Sequence, residues 1–257
     1  MKSLMAIMVF SSIAPHFASA ETLNFDNDKI ESNFSELTKE GIQYHEKITN
    51  NEAIITTSLK TEDLESTSDL EIDLNSNEIV LNTVLDDEQG NTITNSFEVH
   101  MLDFQGEDFK AIFIEKTTGE EYYINTGELQ ASIVPLVVVL ATVARYGITR
   151  AIAKHSASQV TKAMVGNVAK TKIPTDTIAT QVAKELGYEF AGLSPSSHKT
   201  KVFKKTAKDA VDGPKFITRD IDSHIGGVWK GGKKLEDVAS KEKRSGTYDA
   251  VLKRIGD

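Results

Sequence analysis

One short run constrains this chain more than any other: in DLEIDLN, Leu70, Ile72 and Leu74 take every second place, with Glu71 and Asp73 between them. Successive side chains of a strand leave opposite faces, so the run lays one apolar face on a core and one charged face in water. A helical period of about 3.6 would scatter the same three residues around its circumference. Neighbouring runs share the β-rich character: AIITTSLK from Ala53, EIVLNTVL from Glu78, TITNSFEVHML from Thr92, FKAIFIEK from Phe109 and EYYINTG from Glu121. The turn-rich DDEQGN separates the third from the second, and Thr118-Gly119 joins the last two as a hairpin would. An antiparallel β-domain is therefore predicted over residues 21–130, with 21–50 polar and too loosely patterned for a firm element. Its chemistry is sparse. His45 and His100 stand alone, and Asp86-Asp87-Glu88 lacks the ordered oxygen spacing of a calcium loop.

Charge divides the chain. Residues 21–130 hold 26 acidic side chains against 6 basic ones, a net of −20, whereas 131–257 hold 22 basic against 12 acidic, a net of +10. A basic half of this size attracts polyanions, and the acidic half repels them. There is no cysteine, so stability rests on packed cores and not on disulfides. Residues 1–20 read as a secretory signal: Lys2 is followed by an apolar stretch from Leu4 to Ala14 and by Ala18-Ser19-Ala20. Export is expected, with the mature chain beginning at Glu21.

Residues 131–174 are apolar, then alanine-rich and basic, and read as a loosely packed helical connector. The run SIVPLVVVLATVA is shorter than the roughly 20 residues of a membrane span and carries Pro135. A buried boundary helix and a transient membrane contact through 131–146 both remain open. Residues 175–257 form the last domain. Thr175 or Asp176 can cap a helix whose Ile178, Val182 and Leu186 share one face, and Gly187 can stop it. A loop then leads to a strand over Lys201–Lys205.

The chemistry gathers after Phe216. If Phe216–His224 is extended, Asp220, Asp222 and His224 leave one face. Metal-independent RNA cleavage needs a base for the ribose 2′-hydroxyl, an acid for the leaving oxygen and cations for the phosphate. His198 and His224 suit the proton transfers, since an imidazole titrates near about 6.5. Lys230 and Arg244 suit the phosphate, with the hydroxyls of Thr247 and Tyr248 as further donors. Lys204 and Lys243 extend the cationic surface. Trp229 is either a core residue or a platform for a base. Asp220 and Asp222 are open to three readings: contacts to substrate, ion pairs with Arg219 or a neighbouring lysine, or metal ligands with His224 in a DNase.

The segments SHKTKVFKK, FITRDIDSHIGGVWK and KRSGTYDAVLKRIGD resemble the C-terminal toxin domains of bacterial polymorphic toxin and contact-dependent inhibition systems, over about the last seventy residues. The upstream architecture also looks like a secreted toxin family of Gram-positive bacteria, in which a signal peptide and variable leader precede the toxic tip. The resemblance implies an α+β, barnase-like tip that cleaves RNA without a cofactor, with tRNA among its substrates. The matching positions are His198, Asp220, Asp222, His224, Trp229, Lys230, Arg244, Thr247, Tyr248 and Asp249. Ile225, Gly231-Gly232 and the inserted KKTAKDAVDGPK depart from the pattern. Implied partners are an acidic immunity protein and a host cofactor protein, and the implied site of action is the cytoplasm of a target cell. A secreted, non-enzymatic surface-binding protein is the contrasting expectation.

Overall fold

The computed structural model describes residues 42–60, 64–87, 91–105, 108–128, 142–148, 159–206, 211–222 and 227–256. The predicted signal segment and the apolar run 131–141 lie outside them. The first sheet has seven antiparallel strands: β1 (Ile42–Ile48), β2 (Glu52–Lys60), β3 (Leu64–Asp73), β4 (Ile79–Asp87), β5 (Thr92–Gln105), β6 (Asp108–Glu115) and β7 (Glu121–Asn125). Each strand pairs only with its neighbours in sequence, a pure meander. The alternation in β3 does what its pattern dictates, burying Leu70 and Ile72 beside Ile55 and Leu81. β1 falls where the sequence offered no firm element. It is an outer strand with mostly exposed side chains, held by its ladder to β2 and by Ile42 and Ile48 packing on the core.

Helices cover the inner face of this sheet. A helical segment over 142–148 contributes Val143, Ala144 and Ile148, and α1 (Gln159–Lys170) contributes Val160, Ala163 and Met164. These residues are sealed into the sheet's core, so the expectation of a loosely packed connector is corrected. Asn167 of α1 explains part of the fit. Its Oδ1 accepts the Met101 N–H at 2.7 Å, and its Nδ2 donates to Asn77 O at 2.9 Å and Val99 O at 3.3 Å. The bonds to Met101 and Val99 satisfy backbone groups of β5 beside the bulge at Met101/Asp103, and the third reaches the turn between β3 and β4. No described helix is long and apolar enough to cross a membrane.

The second sheet has six antiparallel strands, again in sequence order: β8 (Tyr188–Leu193), β9 (Lys201–Lys205), β10 (Phe216–Arg219), β11 (Trp229–Gly232), β12 (Gly246–Tyr248) and β13 (Arg254–Gly256). Ahead of it runs α2 (Asp176–Glu185), whose N-cap Thr175 accepts the Ile178 N–H. Gly187 follows at φ 81°, a conformation that glycine adopts without strain. Two antiparallel sheets with packed helices make the chain α+β, as expected.

The two sheets share a core. Leu102 and Ile112, with Ile114 and Tyr123, join Ile173, Ile178 and Leu186 in one apolar cluster. A polar latch lies beside it, where Glu185 Oε2 accepts Lys110 Nζ at 2.9 Å, the Tyr123 hydroxyl at 2.8 Å and Asn125 Nδ2 at 3.1 Å. The hydroxyl of Thr175 also donates to Glu121 at 2.8 Å.

Candidate functional site

Strand register sorts the residues of the second sheet onto two faces. Thr218, Lys230 and Thr247 lie opposite one another across β10, β11 and β12 and therefore share a face. Arg219, Trp229 and Tyr248 form the adjacent row and point the other way. Trp229 is 0% exposed, meets Phe203 edge-on at 6.2 Å and donates its indole N–H to Ala250 O. It is a core residue with no open face, which corrects its assignment as a base-stacking platform. Tyr248 is also buried, its hydroxyl 3.2 Å from Ser245 O.

A cleft of about 310 Å³ opens beside the row that carries Lys230. The loop after β8 supplies Ser194, Ser196, Ser197, His198 and Thr200, and the end of β10 supplies Arg219, Ile221 and Asp222. Opposite stand Val238 and Ala239 of a 3-10 turn (Leu235–Ala239), then Lys241 and Arg244. Gly232 lets this turn come close, since a Cβ there would lie 2.9 Å from Lys234 O. The backbone N–H of Arg244 bonds Ser240 O at 2.9 Å, and that of Ser245 bonds Gly231 O at 2.8 Å, fixing where Arg244 leaves the chain. On the other wall the Thr218 hydroxyl lies 2.8 Å from both Thr200 Oγ1 and Lys201 O, tying the loop to β10.

The strand expected to run through His224 ends at Arg219. Asp220 turns back so that its Oδ1 accepts the Asp222 N–H at 3.1 Å, a local bond that competes with extension. Both carboxylates then face Lys230, whose Nζ is 2.9 Å from Asp220 Oδ1 and 3.4 Å from Asp222 Oδ2. Of the three readings left open for this pair, the structure places it on a lysine. Lys230 is thereby compensated and is not the free phosphate cation expected. Arg219 pairs elsewhere, its Nε 2.6 Å from Asp176 Oδ1 and one terminal nitrogen 3.0 Å from Pro174 O.

Arg244 differs. Among the described residues it has no ion pair, and its Nε is buried without a hydrogen-bond partner. The Thr247 Oγ1 is likewise buried and without a partner. Buried donors are normally satisfied, and of these two residues Arg244 lines the cleft, so its Nε is left for an acceptor brought by a ligand. An arginine fork is suited to an oxyanion.

The cleft thus unites His198, Asp222, Lys230 and Arg244, with Asp220 behind Lys230. Thr247 stands next to Lys230 across the ladder. His224 lies in 223–226, outside the described residues. Lys204 and Lys243 are exposed but do not line the cleft. Asp249 accepts the N–H groups of Val251 and Lys253, shaping the turn into β13. Lys241 belongs to the basic cluster around Arg244 that the sequence set towards a phosphate backbone, and it lines the cleft. Sequence reasoning missed Arg219, Ser194 and Thr200 as cleft residues, and of these only Arg219 left a signal, a cation closing an otherwise uncharged strand. Among the described residues no cluster of three or more metal-ligating side chains occurs.

Residues 181–257 match the model of a family described as novel toxin 21. No curated protein and no solved structure matches the chain. The C-terminal unit is accordingly a toxin domain of the polymorphic-toxin type, joined to a β-meander on which the family match does not bear.

Proposed function

We propose that the toxin domain cleaves RNA by metal-independent transesterification, and that the chain is a secreted antibacterial toxin acting in the cytoplasm of its target. The observation that carries this reading is the cleft lined both by an exposed imidazole, His198, and by an arginine, Arg244, with a buried, unpartnered Nε. Arg244 holds the scissile phosphate and meets the charge that grows on it as the 2′-oxygen attacks. His198 is one proton carrier; His224 or the Asp222 carboxylate is the other. Lys230 fixes Asp220 and Asp222 and thereby sets where the Asp222 carboxylate stands in the cleft. Transfer RNA is the substrate to test first. An acidic immunity protein fits the basic cleft by charge, and a host protein assisting cleavage is a further expected partner.

The test uses the full mature chain, because α2 and its core contacts with the first sheet would be lost from a tip cut at Gly187. Incubated with tRNA in excess chelator, it is expected to yield fragments ending in a 2′,3′-cyclic phosphate. Arg244→Ala should lower kcat by about 100-fold and His198→Ala by about 100-fold or more, with unchanged thermal unfolding. Cleavage that stops on chelation would replace this reading with a metal-dependent nuclease, and chelator-sensitive action on DNA alone would replace it with a metal-dependent DNase. No cleavage of either nucleic acid would leave a binding protein.

A further inference from the structure

Of the two outer strands of the second sheet, β8 is the unguarded one. Edges are usually blunted by a lysine, a proline or short length, because an open ladder recruits further strands. β13 has three residues and carries Arg254. β8 has six, YEFAGL, with neither lysine nor proline, and among the described strands it pairs with β9 alone. At its two ends Gly187 O accepts the Thr206 N–H at 3.1 Å and the Ser194 N–H donates to Thr200 O at 2.8 Å. Antiparallel alternation from these bonds turns the backbone groups of Phe190 and Leu193 away from β9.

The side chains of this edge are open as well. Phe190 is 57% exposed and Leu193 54%, more than any other large apolar side chain among the described residues. Phe190 pairs with Phe203 and Leu193 with Lys201, two apart on β9, so the bulge between Phe190 and Gly192 sets both on one face. It is the face on which α2 packs, opposite the row that carries Lys230, and α2 leaves both uncovered.

Charge says what fits there. Lys201 and Lys205 share this face, with the Lys201 Nζ 6.0 Å from the Phe190 ring centroid; Lys204 lies on the other face and Lys199 in the loop beyond. Among the described residues none of these four lysines is ion-paired, and Glu189 is the single acid of β8. We propose that β8 is the docking edge for an acidic protein partner, which adds an extended strand to the second sheet. The partner's alternate apolar side chains lie on Phe190 and Leu193, and its carboxylates meet the lysines. The β8 of a second copy would bring the same four lysines up against these, so like charge opposes self-pairing. A nucleic-acid strand would meet the lysines but would not continue the ladder of N–H and C=O groups.

The experiment uses the full mature chain and an end-blocked synthetic peptide of about eight residues that alternates valine and glutamate. In solution NMR the peptide should shift the amides of Tyr188–Leu193 and slow hydrogen exchange at Phe190 and Leu193. Phe190→Lys should weaken binding by about 10-fold or more with unchanged thermal unfolding, while Phe190→Leu should keep it. The same peptide with lysine in place of glutamate, or N-methylated at alternate amides, should not bind. Equal binding of the N-methylated peptide, or shifts confined to Lys241 and Arg244 in the cleft, would reduce the effect to charge alone and overturn the proposal, as would no binding at millimolar peptide. Self-association of the parent chain that Phe190→Lys abolishes would give the edge to a second copy, and an oligonucleotide protecting the same two amides would give it to nucleic acid. None of these readouts depends on cleavage, so the docking edge and the nuclease reading stand or fall separately.

Discussion

Replacing Lys230 by alanine tests the account of the cleft at its most exposed point. Asp220 is 2% exposed and Lys230 17%, with 2.9 Å between their charged atoms. Removing one partner of a buried ion pair costs about 3–5 kcal/mol, because the other charge is left in a poorly solvated place. Asp220 keeps the Asp222 N–H, so the lower end applies, about 3 kcal/mol, which lowers Tm by roughly 6–12 °C in a chain of this size. Pairing Lys230→Ala with Asp220→Asn leaves no charge stranded at position 220 and should cost about 2 kcal/mol less than the sum of the two single variants. Urea titration followed by Trp229 fluorescence reads this directly, since the only tryptophan is the next residue on β11. A Lys230→Ala cost below about 1 kcal/mol, or additive effects in the cycle, would refute the claim that Lys230 is spent on its carboxylates. Activity of the double variant then decides whether Lys230 touches substrate, a question that the destabilised single variant leaves confounded.

Other outcomes follow from the packing. Glu185→Ala strands three donors of the first sheet and should destabilise the chain by about 2 kcal/mol, seen as a lower Tm with the cleft's activity retained below the transition. Gly227→Ala would set a Cβ 1.9 Å from Thr247 Cγ2, so a loss of about 1–3 kcal/mol is expected by chemical unfolding. Burial holds the Asp249 carboxyl above its ordinary 3.8, with the Asp103 charge adding to the rise and the N–H groups of Lys253 and Val251 opposing it. The folded state therefore binds this proton more tightly than the unfolded chain, and the contribution of Asp249 to stability falls as pH rises from 3.8 through the raised value. Asp249→Asn should be more stable than the parent at neutral pH and lose that advantage in acid, as thermal unfolding across pH would record.

Much of this fold was legible because its signals are local. The period-two run of β3 needs only its own residues, and Thr175 with Gly187 brackets α2 by short-range hydrogen bonding and backbone freedom. β1 was illegible for the converse reason: in IQYHEKI the face of Ile42, Tyr44 and Ile48 is broken by Glu46 and only partly buried, and the strand depends on the ladder that β2 offers it. The α1 region read as a loose connector because its small residues announce nothing until Asn167 meets the β5 bulge. At the site, residue types pointed to His198 and Arg244, but the pairing of Asp220 and Asp222 with Lys230 depends on an Asx turn that halts β10. Trp229 drew notice that its burial does not support.

In both sheets the partner of every strand is the one made just before it or just after it. Such an arrangement can be assembled from one end as a growing hairpin stack, since no late segment has to be threaded between two that are already joined. A polypeptide of this kind, if unravelled and drawn head first through a narrow passage, can rebuild itself on the far side in the order of its arrival. The acidic meander comes first and supplies Leu102 and Ile112 as a floor on which the C-terminal sheet then settles.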